Sequence, residues 1–579
     1  MRFNRYYQDE LAYLRELGAE FTKQNPDLAP YLSEQSKDPD VERLIEAFAF
    51  LTGRLRERLD DGLPEVVHGL LTLLWPQALR PIPCTTTIQF EPVKGVVTGT
   101  ETVAPGIQLL SKSVEGISCS FRTCFATAVH PFAITATEVE EVGGRGLLRL
   151  TVTPSGEVAP DQLQMSSLRL FLNFHADPAA GAELRLLLCR HVRSMRIITA
   201  GGVVMPLPKA AIRPVGFTPE QAVLHASETS FDALRVLQEF LTVPEKFFFL
   251  DLVGLPAAGS FAGGAFSIVF DFDRAFHGLT RLSPDQIRLN CTPAINLFEA
   301  DAEPIALTQQ LTEYRLLTTD PNNISVVDVL EVTGWLRGRA ERVAYEKFES
   351  FHRRPRGEGA SFYVRLRPSV TRHQYEHYLS FTLDRDGQAA PPAELALARI
   401  SCCNGTLPEL LGIGDIQHAG SNAPVWARAR NISPVSGFVA PQLDALRLWS
   451  VISIMARNYY PVSHVEGLRN LLGHLNFRAL ADRRASRRHE LMVQALQAVQ
   501  TQPIDMLVKG RLVRGSRITM QVDEDAMEGI GRAFLFGEVM DHLLALFANV
   551  NACHRFHLRC TRSNMTYDWP LRPGAVAPI

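Results

Sequence analysis

The chain has 579 residues, 46% hydrophobic and 21% charged, with a formal net charge of −3. That length exceeds one hydrophobic core and implies roughly three or four domains, while the composition excludes wholesale disorder and the charge excludes a dedicated nucleic-acid binder, which carries a strong basic excess. No apolar run approaches the about 20 residues that cross a bilayer, and the N-terminus is charged and amphipathic rather than a secretory leader, so a cytoplasmic protein without membrane insertion is expected.

The opening stretch, residues 1–83, is helical in pattern. Phe3, Tyr7, Leu11, Leu14, Leu17 and Phe21 recur every three or four residues and form one apolar stripe, which Asn25, Pro26 and Pro30 end. A second helix opens with Asp38 as N-cap and Pro39 at the first helical position. It carries Val41, Leu44, Ile45, Phe48, Leu51, Leu55 and Leu59 on one face, and Gly62 and Pro64 close it. A third, from Pro64 to Trp75, is apolar on most sides, and Pro76, Pro81 and Pro83 forbid its continuation. Two residues break the pattern. Projected at about 100° per residue, Glu10 falls inside the first stripe and calls for a partner, while Phe50 points away from Phe48, with small Ala49 and Gly53 nearby. Two readings stay open: Glu10 snorkels and Phe50 packs under the β domains of its own chain, or both belong to a bundle completed by another polypeptide.

After Pro83 the period changes from helical to alternating. Strands are predicted at Thr85 to Phe90, Phe132 to Val139, Leu147 to Val152 and Leu168 to Phe174, with a turn at Gly143, Gly144 and Gly146. Helices are predicted from Ala182 to Val192 and Phe231 to Leu241, and buried strands at Phe247 to Leu252 and Phe266 to Phe272. A new unit is placed near Pro284, with strands around Ile287 to Asn290, Leu311 to Leu316, Val326 to Val332, Phe362 to Arg367 and His377 to Leu383. Arg353 to Gly359 and Ala389 to Pro392 read as loops. Helical period returns at Leu443 to Tyr459, Val465 to Leu475, Ser486 to Gln500 and Gly537 to Ala548, and strands at Leu512 to Gln521 and Phe556 to Cys560 close the chain. The fold class expected is α+β: an N-terminal helical segment over 1–83 serving as a partner bundle, a β-rich mixed domain over 84–283, a β-rich domain over 284–430 and an α+β domain over 431–579.

Candidate chemistry is sparse. Nine cysteines scattered from Cys84 to Cys560 without a CxxC pair read as free, mostly buried thiols. Cys553, His554, His557 and Cys560 are the densest metal-like cluster, yet on a strand Cys553 and His557 face opposite His554 and Cys560, so one ion does not easily collect all four. Arg483, Arg484, Arg487 and Arg488 share a helical face that either docks an acidic surface or is solvated. No phosphate loop, HExxH helix or GxSxG elbow is present in the sequence. Asp271 and Asp273 alternate with Phe270 and Phe272, the pattern of solvent-facing positions or of paired carboxylates in a carbohydrate-active enzyme. Cys291 has no histidine close in sequence to activate it, and Pro293 and Asn296 set a bend there. No catalytic residue, metal or cofactor is assigned.

Several segments carry a more specific signal: YYQDELAYLRELGAEF from Tyr6, DPDVERLIEAFAFLTGRLRERLDD from Asp38, LPEVVHGLLTLLWPQALRPIP from Leu63, RVLQEFLTVPEKFFFLDLVGL from Arg235, LNCTPAINLFEADAEPIAL from Leu289 and GRAFLFGEVMDHLLALFANVNACHRF from Gly531. In this order they resemble the TssF family, baseplate subunits of bacterial type VI secretion systems. The resemblance implies a non-enzymatic structural protein: two TssF chains clasp TssG into a wedge, joined by TssK and TssE, and wedges assemble around the VgrG spike hub of a contractile injection machine at the inner membrane. Three chains bury more apolar helix surface than one, which makes the N-terminal helices the expected shared bundle, with Tyr7, Glu10, Leu11, Leu14, Phe21, Phe48, Phe50 and Leu55 as its interface.

Overall fold

The computed structural model describes residues 7–8, 10–15, 39–60, 64–159, 162–163, 165–224, 232–256, 264–276, 281–308, 310–336, 342–348, 360–369, 375–383, 394–441, 443, 448–449, 451–452, 464–478, 482–508, 511–545 and 553–573. The fold is α+β, with helices at the N-terminal end and β-rich sheets after them, as the change of period predicts. The chain divides into two units, Met1–Thr72 with Leu443–Ala456, and Leu73–Gln442 with Arg457–Ile579.

In the first unit residues 10–15 are helical and α1 runs Pro39–Asp60, with Asp40 and Glu42 in its first turn, where carboxylates complement the helix dipole. Arg15 Nη2 donates to Glu42 Oε2 at 2.9 Å, an ion pair between half-exposed side chains that adds little stability. The proposed N-cap Asp38 and the Arg353 to Gly359 and Ala389 to Pro392 loops lie outside the described residues. The helix α2 spans Pro64–Leu74, as the prolines on either side demand.

In the second unit the strands form sheets of six, five, four, eight, two and five strands among the described residues. Thr85–Pro92 sits inside the six-stranded sheet, between Cys291–Ile295 and Ala427–Asn431, with Ile88 opposite Thr292 on one side and Asn431 on the other. Its first six residues are therefore all buried, the pattern of a central strand. Asn296 ties this sheet to its neighbour: its Nδ2 donates to Ser120 O at 2.8 Å and to Asn404 Oδ1 at 2.8 Å, and its Oδ1 accepts from Asn404 N at 2.7 Å. In the five-stranded sheet Phe132–Val142 and Arg145–Pro154 make a hairpin across Gly143 (φ 60°) and Gly144 (φ 74°), a two-residue turn that needs positive φ twice. Phe266–Phe272 pairs with Arg145–Pro154 on one side and Val192–Thr199 on the other.

Helix α3 (Pro178–Arg190) is capped by Asp177, whose side chain accepts from Ala180 N at 3.1 Å. Helix α4 covers Asp232–Thr242, α5 Val465–His474, α6 Arg483–Ala495 and α7 Ile530–Leu544. Nearly every residue of α7 is buried, which its run of Phe534, Leu535, Phe536, Val539 and Met540 demands. It crosses α3 at Gly531, where an added Cβ would stand 2.4 Å from the carbonyl carbon of Ala182, so only glycine allows the approach.

Several boundaries differ from the sequence reading: the strand predicted at Leu311 to Leu316 is only Tyr314–Arg315, the helix predicted from Ala182 to Val192 is Pro178–Arg190, and three further differences have a local cause. The predicted strand at Phe247 begins instead as a 3-10 turn, Pro244–Phe248, and the strand is Phe249–Val253; Pro244 presets the turn, and it carries Lys246 to Glu239. The predicted helix to Gln500 stops at Ala495, because Leu496–Val508 pairs along its whole length with Arg511–Val522. The predicted helix start at Gly537 is too late: α7 begins at Ile530 and Gly537 is an interior residue pressed against Trp569, since a glycine inside a helix marks close packing as readily as an end.

Burial also leaves a titration signature. His130, His377 and His542 are each pulled down to about 4 by desolvation, helped at His542 by the charge of Arg572. The unfolded chain takes up protons at these positions below about pH 6.5 that the folded chain declines, so stability is complete above that pH and falls as pH drops towards 4. The expected result is a thermal midpoint that declines steadily from pH 6.5 to 4, less steeply in His377→Gln. A profile flat over that window would show that these histidines titrate normally.

Candidate partner interface

The second turn of α1 onwards presents an unusual division of faces. Ala49 is fully buried and Gly53 is buried too, so the side turned inward is lined by the smallest residues, which permit close approach. The large apolar side chains project outward: Leu44 is 68%, Phe48 58% and Leu51 59% exposed. At about 100° per residue these three fall within one narrow stripe, and Thr52, beside it, returns its hydroxyl to Phe48 O at 2.8 Å. Phe50 is exposed on the other flank. In the same unit Leu448, Val451 and Ile452 are buried while Trp449 is exposed, as is Tyr13. Exposed aromatic and leucine side chains grouped on one helix are the usual mark of a surface that another protein covers.

Of the interface residues expected from sequence, Leu11 is buried, Tyr7, Glu10 and Leu14 are half-buried, and Phe48 and Phe50 are exposed. Phe21 lies outside the described residues, as does the side chain of Leu55, whose backbone belongs to α1. Leu44, Leu51, Tyr13 and Trp449 join the exposed set. Periodicity put Leu44 and Leu51 on the stripe with Phe48, but a stripe of leucines looks the same whether its own chain or another covers it.

The second unit, taken by itself, is held by buried charge. Glu239 Oε1 accepts from Val223 N at 2.7 Å and Leu224 N at 2.9 Å, while Oε2 accepts from Arg235 Nη1 at 2.6 Å and from Lys246 Nζ. All of its acceptor positions are thereby used. Burial draws the Lys246 ammonium down to about 8 against the opposing pull of Glu239. Arg185 donates to Phe247 O at 2.7 Å and makes an ion pair, rather than an aligned hydrogen bond, with Glu538. On α7, Asp541 accepts from His554 Nε2 at 3.0 Å and from Arg572 Nη2 at 2.8 Å. Burial raises that carboxyl, but these two partners outweigh it and hold it below the usual carboxylate range.

The residues weighed for chemistry have structural occupations. Asp271 accepts from Ser194 Oγ at 2.6 Å and pairs with Arg196, whereas Asp273 pairs with His191 Nδ1 at 3.0 Å; each carboxylate answers to its own strand neighbours. Cys291 is buried, its thiol donates to Leu289 O at 3.2 Å, and burial pushes it well above the usual thiol range, the opposite of an activated nucleophile. Cys553–Cys560 is a strand whose His554 turns to Asp541 and whose His557 turns to Asp568, on opposite faces. On α6, Arg487 pairs with Glu490 at 3.0 Å and Arg488 with Glu528 at 3.3 Å, so half of the arginine face serves local ion pairs. Among the described residues no group of three or more metal-ligating side chains comes together, and no helix is long and apolar enough to cross a membrane.

Comparison with known proteins points the same way. Residues 1–576 match the family described as "Type VI secretion system, TssF". A relative from Pseudomonas aeruginosa, type VI secretion system component TssF1, is 27% identical over 99% of this chain and 99% of its own. Among solved structures, a chain of the type VI secretion system TssK-TssF-TssG baseplate subcomplex superposes with a TM-score of 0.77 at 27% identity, covering 93% of this chain and 100% of that chain. A chain of the baseplate complex from the type VI secretion system superposes with a TM-score of 0.67 at 26% identity, covering 100% of both.

Proposed function

The chain belongs to the TssF family of the type VI secretion system, and from that premise we propose that it is a structural subunit of the baseplate, binding TssG and TssK and performing no catalysis. The observation that carries the reading is the outward stripe of Leu44, Phe48 and Leu51 on α1, apolar surface that a solitary chain leaves in water and a helical bundle covers. Residues 1–83 form the shared bundle, with Tyr7, Glu10, Leu11, Leu14, Phe21, Phe48, Phe50 and Leu55 in or beside it, and two copies of this chain clasp one TssG. TssE joins the same wedge, and wedges surround the VgrG spike hub on the cytoplasmic side of the inner membrane. One structure that this chain resembles comes from a TssK-TssF-TssG baseplate subcomplex and another from the type VI secretion baseplate complex, which supports the choice of partners.

Co-expression with the neighbouring open reading frames followed by native mass measurement tests the proposal. The expected mass is that of two copies of this chain with one TssG, and deletion of residues 1–83 is expected to release TssG. A monomer indifferent to every baseplate component overturns the reading, and retention of TssG by the deletion chain removes the bundle.

A further inference from the structure

The sheet at the C-terminal end of the second unit has two faces of opposite character. Its strands lie in the order Leu496–Val508, Arg511–Val522, Cys553–Cys560 and Thr566–Asp568. Ile518, Met520, Val522, Phe556, Leu558 and Cys560 are buried on the side where α7 packs, with Gly537 against Leu558. The alternate residues face outward, and among them Arg517, Arg555, Arg559, Gln500 and Gln502 are exposed. Register sets Arg517 directly beside Arg555, one strand spacing of about 4.8 Å away, and Arg559 follows on the same face about 13 Å along its strand. Neighbouring guanidinium groups at that spacing repel, so the pair costs stability instead of adding it. Among the described residues none of the three arginines has an ion-pair partner, Arg559 donating only to the neutral Asn564 Oδ1 at 3.3 Å. The one carboxylate described on this face, Asp568, stands opposite His557 in register and bonds it.

The unmatched charge defines what would settle it. An uncharged occupant leaves the repulsion in place and a cation adds to it, whereas an anion set between Arg517 and Arg555 removes it. A few carboxylates on a polypeptide meet that need. A long polyanion does not: Arg511–Val522 runs directly into Asp523, Glu524 and Asp525, with Asp525 exposed, so nucleic acid lying along the strand meets carboxylates, and the net charge of −3 supplies no general attraction for it. Gln500, Gln502, Thr519 and Gln521 surround the arginines on the outward side, so the contact is polar and steered by charge, unlike the apolar stripe of α1. We propose that this face docks a short acidic segment of a partner polypeptide, its carboxylates held between Arg517 and Arg555 and against Arg559. This rests on the assembly role argued above, because a baseplate subunit meets its partners' surfaces on more than one side.

The test uses the full chain and its baseplate partners, produced from the neighbouring open reading frames. Arg517→Glu relieves the repulsion and places a carboxylate beside Arg555, so the isolated variant is expected to keep or raise its thermal midpoint while its affinity for the partners falls at least tenfold. The parent is expected to lose affinity between about 50 and 500 mM salt more steeply than this variant does. Arg517→Lys with Arg555→Lys keeps the charge and is expected to bind as the parent does. In its complex, carbodiimide is expected to join the introduced ammonium groups to an aspartate or glutamate of another subunit, which peptide mass then identifies. Undiminished binding by Arg517→Glu, equal salt dependence, or cross-links confined to this chain each overturns the docking proposal and leaves the assembly reading standing. Binding of a single-stranded DNA oligonucleotide by the parent that Arg517→Glu abolishes assigns the face to nucleic acid and overturns it too. A parent chain that joins no complex overturns the assembly reading and this proposal with it.

Discussion

Aspartate in place of Phe48 is expected to lower the affinity of the chain for its baseplate partners at least tenfold while its circular dichroism and thermal midpoint remain those of the parent. The two halves of this expectation have separate causes. In the free chain Phe48 is 58% exposed, so its replacement removes little packing and the new carboxylate stays in water. In a bundle the same site is covered: the assembly loses about 2 kcal/mol of apolar burial and gains the cost of desolvating an unpaired charge, which adds several kcal/mol more. Either contribution alone exceeds the about 1.4 kcal/mol that a tenfold change requires. Phe50→Asp is expected to act in the same direction, and Arg43→Ala, nearby on α1 at a side chain 79% exposed, is expected to be neutral. Unchanged co-purification of Phe48→Asp with TssG, or a collapse of its circular dichroism, would refute the assignment of this face.

Glutamine at Glu239 is expected to cost about 3–5 kcal/mol of folding stability, the largest effect of any single substitution considered. The native carboxylate serves two backbone amides and two cations at once, all in a site where Glu239 and Lys246 have no more than 1% exposure. A carboxamide keeps the shape, but its nitrogen is a donor facing donors, and Arg235 and Lys246 remain buried without their counter-charge. Arg235 keeps Asp232 at 2.5 Å and Thr218 O at 3.2 Å, which moderates the loss on its side; Lys246 keeps Gln221 O at 3.3 Å and the Phe247 ring at 4.9 Å, neither of them a counter-charge, and is expected to shed its proton. Chemical denaturation checks this through a lowered midpoint at unchanged slope. A change below 1 kcal/mol would mean that water reaches the cluster and screens it.

The candidate interface was legible in part. Its helices announce themselves because an apolar residue every three or four positions is a local property, and the capping proline at residue 39 and the closing proline at residue 64 lie within a few residues of what they delimit. Phe50 stood out for the same reason, as an aromatic on the wrong side of a helix. Which side of α1 turns inward was not legible: Ala49 and Gly53 are the buried pair, and small residues carry no hydrophobic signal strong enough to register in a pattern. The burial of Gln77 and Gln238 had no signature at all: glutamine on a helix or turn is ordinary, and only the tertiary fold encloses it.

From residues alone came the class of the fold, the helical opening, a turn at Gly143 and Gly144, the strand Phe266–Phe272 to its last residue, and a family likeness running the length of the chain. These are short-range facts, set by side-chain periodicity and turn chemistry within one segment. Strand neighbours were another matter. That Thr85–Pro92 lies between Cys291–Ile295 and Ala427–Asn431, or that Leu496–Val508 abandons the helix before it to pair with Arg511–Val522, depends on backbone hydrogen bonds that are alike for every residue. Partners for such bonds are selected by packing between distant parts of the chain, which also decides that the small side of α1 turns inward and the large apolar side stays out.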